Sequence, residues 1–290
     1  MSLKEFLDQK GWQKGSQERN VEKFYATAIT GFHDYHGGYL NFGHWTREGM
    51  TYEEAAESLV NLLGQKLGLN AHSRLLDVGS GMGSQDVYLS QHFTPEKIDA
   101  LDVTWKHVEI ARERAKREGV NPAKLEFHHG TAVQTPFPEA SFTHLLSIEA
   151  PEHFNTRDDF FTEAYRVLKP GGVMVLADYT LPQNPKGLFK KFFLNFARSV
   201  WHVPPANVYG NDVYETKLKA KGFKNITIEN IGQWTIPGYY FEHRKWEQVK
   251  KMRKLRGFWK GVVGGFLIDF GVYYAYKLKL CEYIIARAEK

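Results

Sequence analysis

The stretch Arg74-Leu75-Leu76-Asp77-Val78-Gly79-Ser80-Gly81-Met82-Gly83 decides the fold, because a run of strand length opens directly onto three alternating glycines. Short apolar runs bounded by turn residues read as buried strands, and a glycine turn lets backbone approach a ligand before a helix begins. Working outward, strand-like runs recur at residues 98–103, 125–128, 142–147 and 172–179, with helical patterns at 104–118 and 156–167 between them. Asn155 is expected to cap the second helix, and Lys169-Pro170-Gly171-Gly172 to stop it. Strands alternating with helices predict a parallel sheet covered on both faces, so the expected class is α/β, doubly wound.

Before this core, residues 21–29 and 52–67 read as helices on either side of an aromatic, glycine-rich stretch at 32–45. After it, 182–205 and 244–276 are richer in aromatic and basic residues than the core is, and two late strands are expected at 223–230 and 282–287. The late strands imply that the chain returns to the same sheet after its insertions. The expected organisation is one domain, with an N-terminal helical lid segment over 1–72, a ligand-binding core over 73–182, and a substrate lid plus the last strands over 183–290.

Hydrophobic residues at 42% and charged residues at 24% place the chain among globular proteins and exclude disordered or collagen-like ones. The 14% of aromatic residues suits either a larger core or a pocket for an apolar ligand. A net charge of +5 leans towards anionic partners without choosing among them. Cys281 is the single cysteine, which excludes an intramolecular disulfide framework and a multi-cysteine zinc site and fits a reducing, cytoplasmic setting. No metal site is expected. Met1-Ser2-Leu3-Lys4-Glu5-Phe6 lacks the apolar stretch of a signal peptide, and Lys260 and Asp269 interrupt the apolar segment 257–276, a poor candidate for a membrane span.

The glycine loop narrows the ligand. A dinucleotide fingerprint needs a small residue where Ser84 stands, and a phosphate-binding P-loop needs Gly-Lys-Ser/Thr, which is absent. An acid at Asp77 would repel a pyrophosphate but tolerates an ammonium or sulfonium, and S-adenosylmethionine carries both. Asp102 ends the second expected strand, where a carboxylate can accept from both ribose hydroxyls.

Leu76-Asp77-Val78-Gly79-Ser80-Gly81-Met82-Gly83, Ala100-Leu101-Asp102-Val103-Thr104, Gly130-Thr131-Ala132 with Thr135-Pro136-Phe137-Pro138-Glu139-Ala140-Ser141-Phe142, and Arg166-Val167-Leu168-Lys169-Pro170-Gly171-Gly172 follow one another in order. This series resembles the successive motifs of class I S-adenosylmethionine-dependent methyltransferases over roughly residues 73 to 180. Asn41-Phe42-Gly43-His44-Trp45 is similar to an N-terminal aromatic motif of the small-molecule branch, which includes sugar O-methyltransferases, tocopherol and sterol C-methyltransferases and cyclopropane fatty acid synthases. The resemblance implies a Rossmann-like seven-stranded sheet ending in an antiparallel strand. It also implies a cofactor site built from Asp77, Gly79, Ser80, Gly81, Gly83, Asp102, Val103, Thr131, Ala132 and Ile148. Two positions depart from the pattern: Thr131 stands where the branch commonly has an acid for the adenine amino group, and Thr143 where it commonly has an Asp.

Ligands of open α/β sheets bind beyond the carboxyl ends of the strands, so Ser147-Ile148-Glu149-Ala150-Pro151-Glu152-His153-Phe154 should face the reaction. His153 is a candidate general base with an unperturbed pKa of about 6.5. Asp178, at the end of the fifth expected strand, is a candidate to orient it, an arrangement the resemblance supports. Glu149 and Glu152 offer a different chemistry, in which a carboxylate stabilises the cation formed on methylating an alkene; Glu149 alternatively contacts only the cofactor. The absence of Asn-Pro-Pro-Tyr/Phe and the place of Cys281 argue against nucleic acid as the acceptor.

Phe189, Phe192, Phe193, Phe196 and Val200 recur at helical spacing, with Lys190, Lys191 and Arg198 largely elsewhere. Such a helix packs on the core, roofs an apolar substrate pocket, or lies on an anionic membrane surface. Residues 245–256 add a basic run, most simply a solvated face. The leading expectation is methyl transfer to a small, lipophilic molecule; the competing one is an S-adenosylmethionine-binding protein without turnover. A dehydrogenase is disfavoured by Ser84, and oligomeric state is not legible.

Overall fold

The computed structural model describes residues 17–19, 21, 22, 25, 37–182, 185–200 and 203–290, excluding the side chains of 196–200, 256, 260, 261 and 264. Seven strands form one sheet in the order β3-β2-β1-β4-β5-β7-β6. They are β1 (Arg74–Val78), β2 (Lys97–Asp102), β3 (Leu125–His129), β4 (Phe142–Ile148), β5 (Leu168–Thr180), β6 (Lys224–Asn230) and β7 (Glu282–Glu289). The first five run parallel, whereas β7 lies antiparallel to both β5 and β6. The sheet is the doubly wound, seven-stranded one that the motifs imply.

Period-two alternation decides which side chains meet which helices. Leu75, Leu146, Val175, Ala177, Tyr283 and Ile285 face one core with α1 (Tyr52–Leu67), α2 (Ser84–His92) and α3 (Trp105–Arg117). Leu76, Leu145, Met174, Leu176, Ile284 and Ala286 face the other with α4 (Arg157–Val167) and α6 (Asn211–Ala220). Truncating a fully buried leucine such as Leu75 or Leu76 to alanine costs about 2–5 kcal/mol, so each layer is held strongly. The α1 helix begins with a capping box, in which the Thr51 side chain accepts from Glu54 N and the Glu54 carboxylate accepts from Thr51 N.

Two local expectations change. Thr156, not Asn155, caps α4, because its hydroxyl forms a capping box with Asp159. Lys169-Pro170-Gly171-Gly172 does not separate helix from strand but belongs to the first part of β5, and the register against β4 shifts between Phe142 and His144. In the expected helix at 21–29, residues 21, 22 and 25 are helical, as are 17–19; residues 23, 24 and 26–29 lie outside the described residues.

The switch in strand order falls between β1 and β4: the chain runs outward through β2 and β3, then returns beside β1. A crevice opens at the carboxyl ends of strands at such a point. Two insertions cover it. One, between β5 and α6, contains α5 (Leu188–Val200); the other, between β6 and β7, contains α7 (Ile236–Glu242), α8 (Trp246–Gly257), a π-helical turn at Phe258–Val263 and α9 (Gly264–Lys277). α9 packs on both α5 and α7. Among the described residues no helix is long and apolar enough to cross a membrane.

Candidate active site

The loop after β1 is drawn over the end of β2. Gly79 N and Ser80 N donate to Leu101 O at 2.7 and 3.1 Å, and Gly81 N donates to Asp102 Oδ2 at 2.9 Å. Asp102 Oδ1 accepts from Thr104 N at 2.7 Å and lies 3.2 Å from His107 Nδ1. Gly79 has φ +83°, and a Cβ there would come within 2.4 Å of Ala150 Cβ. Both facts require glycine, since a side chain would be strained and would push the loop off the segment that follows β4.

A cavity of 230 Å³ runs from this loop to the inserted helices. Of the expected cofactor residues, Gly79, Ser80, Gly81, Asp102, Val103, Thr131, Ala132 and Ile148 line it. Asp77 and Gly83 do not. Asp77 is fully buried behind the loop, where Gln85 Nε2 donates to its Oδ2 at 2.5 Å and the Asp86 carboxyl lies against it. Burial raises Asp77 to about 6 and, with the neighbouring Asp77 charge, raises Asp86 well above the usual carboxyl range. Asp77 therefore lies behind the cavity wall and not in it. Gly83 (φ +76°) fits the start of α2 against α3, as a Cβ would meet Ala111 Cβ at 2.7 Å.

The departures from the motif pattern differ in consequence. Thr143 stands at the opposite end of the sheet, where its hydroxyl accepts from Arg74 N at 2.8 Å. Thr131 lies in the cavity wall and forms an isolated bridge with Gln134, so backbone and hydroxyl are what this position presents.

Glu149, Glu152 and His153 all line the cavity beyond β4. Glu149 has φ +50°, and its Oε1 accepts from Phe42 N at 2.7 Å and from the Tyr283 hydroxyl at 2.6 Å. Burial pushes its carboxyl up to about 8. Glu152 is likewise buried and raised well above the ordinary range, chiefly by desolvation. His153 Nε2 lies 3.1 Å from the Tyr25 hydroxyl and 3.8 Å from Glu152 Oε1.

Asp178 does not orient His153. Its carboxylate is taken by Arg157, with Nε 2.9 Å from Oδ2 and Nη2 3.2 Å from Oδ1, and the Tyr214 hydroxyl donates to Oδ2 at 2.9 Å. A fully buried guanidinium is the stronger partner for a fully buried carboxylate, and the pair serves the loop from beneath. Arg157 N donates to Asn207 Oδ1, whose amide donates in turn to Glu152 O at 3.0 Å and Phe154 O at 2.8 Å. Arg157 and Asn207, which no sequence motif marks, therefore fix the backbone carrying Glu152 and His153.

At the far end the wall is aromatic and aliphatic. Phe42 stacks on Tyr239 at 4.1 Å and meets Tyr179 edge-on at 5.6 Å, beside Leu181, Val203 and Val272. Asp269, the charge that interrupts the apolar C-terminal segment, is 4% exposed, lines this wall and holds His243 Nδ1 at 3.0 Å. Tyr25, Tyr239 and Asp269 had no distinguishing spacing in the sequence. Cys281 lies outside the wall, its buried thiol raised to about 12.

Asp99, Glu126 and His128 bring three potential metal-ligand atoms together on β2 and β3. The Lys97 ammonium already sits 3.0 Å from Asp99 and 2.9 Å from Glu126, in the place a cation would take. The cofactor expectation fares differently. Ser80 Oγ, Asn41 Nδ2 and Glu152 Oε2 are buried, have no hydrogen-bond partner among the described residues, and belong to residues lining the cavity. Orphaned donors and acceptors of this kind fit a ligand with an amino-acid end and hydroxyls.

Residues 76–176 match the family model of a methyltransferase domain. The chain is 31% identical over 260 residues to the erythromycin 3''-O-methyltransferase of Saccharopolyspora erythraea, covering 88% of this chain and 84% of that one. It is 30% identical over 215 residues to the 27-O-demethylrifamycin SV methyltransferase of Amycolatopsis mediterranei, covering 74% and 77%. The fold is similar to that of the geranyl diphosphate C-methyltransferase from Streptomyces coelicolor A3(2), with a TM-score of 0.71 at 15% identity over 96% of this chain and 99% of that one. With the motifs in order, the glycine loop over Asp102 and these likenesses, the chain belongs to the class I S-adenosylmethionine-dependent methyltransferases.

Proposed function

We propose that this enzyme methylates a hydroxyl of a small, largely apolar molecule. The observation that carries the reading is one continuous cavity, with the glycine loop and Asp102 at one end, an aromatic and aliphatic wall at the other, and His153, Glu149 and Glu152 between. Asp102 would accept from the ribose hydroxyls, Gly79, Ser80 and Gly81 would offer backbone to the amino-acid end, and Val103, Thr131, Ala132 and Ile148 would flank the adenine. When bound, S-adenosylmethionine supplies an electrophilic methyl group, so the protein's part is to hold the acceptor in line and take its proton. His153 would take that proton. The imidazolium so formed would donate from Nε2 to the Tyr25 hydroxyl at 3.1 Å. Glu149 would act at the cofactor, through charge.

One relative that is a 3''-O-methyltransferase by name, and another named for a 27-O-demethyl substrate, support a hydroxyl acceptor. The single cysteine, Cys281, suits a reducing compartment such as the cytoplasm, and an apolar acceptor would come to the enzyme from a lipid surface. The test is turnover with labelled S-adenosylmethionine over a panel of apolar hydroxy compounds. His153→Ala should lower turnover while sparing cofactor affinity; an undiminished rate would remove His153 as base. Cofactor binding without transfer to any acceptor would favour a binding protein without turnover.

A further inference from the structure

Trp105 apart, every exposed large apolar side chain among the described residues lies between Leu188 and Tyr274. On α5, Leu188 is 88% exposed, Phe189 67% and Phe192 72%, while Phe193 and Leu194 turn towards the core. On the adjoining α9, Leu267 is 65% exposed, Phe270 45% and Tyr274 38%. The spacing 188, 189, 192 on one helix and 267, 270, 274 on the other gives each a single outward apolar stripe. Isolated exposed leucines are ordinary, but an outward apolar stripe on each of two helices packed on one another marks a surface that something covers.

Charge identifies the occupant. Across α5 and α9 the one acidic residue is Asp269, and it is turned inward onto His243. Lys186 and Lys191 are exposed beside the α5 stripe, and Lys277 and Lys279 at the end of α9. Aromatics interleaved with lysines, with no outward acid, complement an interface that is apolar within and negatively charged at its surface. α9 also connects this surface to the cavity. Asp269 and Val272 line the cavity wall, and Ile268 both lines it and is 40% exposed.

We propose that the outer face of α5 and α9 docks on an anionic phospholipid bilayer, and that an apolar acceptor enters the cavity past Ile268 from that side. The inference rests on the proposed apolar acceptor for its second half only. In vesicle co-sedimentation, the full-length chain should bind phosphatidylcholine vesicles containing phosphatidylglycerol, bind phosphatidylcholine alone at least tenfold more weakly, and be released as salt rises. Phe189→Ser, Phe192→Ser and Leu267→Ser combined should lower partitioning at least tenfold, with S-adenosylmethionine affinity unchanged as the check on folding. No binding to anionic vesicles at low salt, or a concentration-dependent dimer abolished by the same substitutions, would overturn the proposal. Vesicle binding that persists while no apolar acceptor is methylated would keep the docking face and remove the acceptor reading, so the two fail separately.

Discussion

Replacing Glu149 by Gln tests the electrostatic design of the site. In the free protein burial raises this carboxyl to about 8, so it is mostly protonated at neutral pH. A cation about 5 Å away at an effective dielectric of about 20 is worth roughly 3 kcal/mol, enough to bring the bound-state pKa down by about 2 units. Binding at pH 7 should then release roughly 0.8 proton, and the S-adenosylmethionine dissociation constant should fall roughly 50-fold from pH 6 to pH 9. The sign for stability runs the other way. With its folded pKa raised above the usual 4.5, Glu149 contributes fully below 4.5, and that contribution is lost as pH rises through about 8. Calorimetry in buffers of different ionisation heat reads the released proton directly. Glu149→Gln keeps an acceptor for Phe42 N and Tyr283 and should abolish both the release and the pH slope. Wild-type binding that releases no proton and is flat in pH would refute the reasoning.

Asp102→Ala should weaken S-adenosylmethionine binding by about 1.5–3 kcal/mol through lost charged hydrogen bonds, read as a 10- to 150-fold rise in dissociation constant; unchanged affinity would remove the ribose assignment. Arg157→Ala should destabilise the fold by about 3–5 kcal/mol, because it leaves Asp178 buried and unpaired. An unfolding free energy from denaturant titration lowered by less than a fifth of that would show that the pair carries little.

Strand β1 and helix α1 have the expected ends because each has a sharp local signal: an apolar run closed by glycine, and a capping box closed by Gly68. Strand β5 is longer than expected because Pro170-Gly171-Gly172 carries a strong stop signal, yet Pro is tolerated in the opening residues of a strand. Asp178 looked like a partner for His153 because acids at strand ends look alike in sequence. Its real partner, Arg157, opens a helix, a place where an arginine ordinarily reads as solvated. Periodicity gave α5 an apolar stripe but could not say which way it points, and Phe189 and Phe192 proved to face outward. Asp269 read as a break in an apolar segment, since only the folded helix shows that it turns into the cavity.

The central claim is that the cavity delivers a methyl group to a small apolar molecule. Incubating the enzyme with methyl-labelled S-adenosylmethionine in a mixture of apolar hydroxy compounds, peptides and nucleic acid, then measuring where the label resides, tests it most directly. Label should reside in the small-molecule fraction; label confined to peptide or nucleic acid would exclude a small-molecule acceptor.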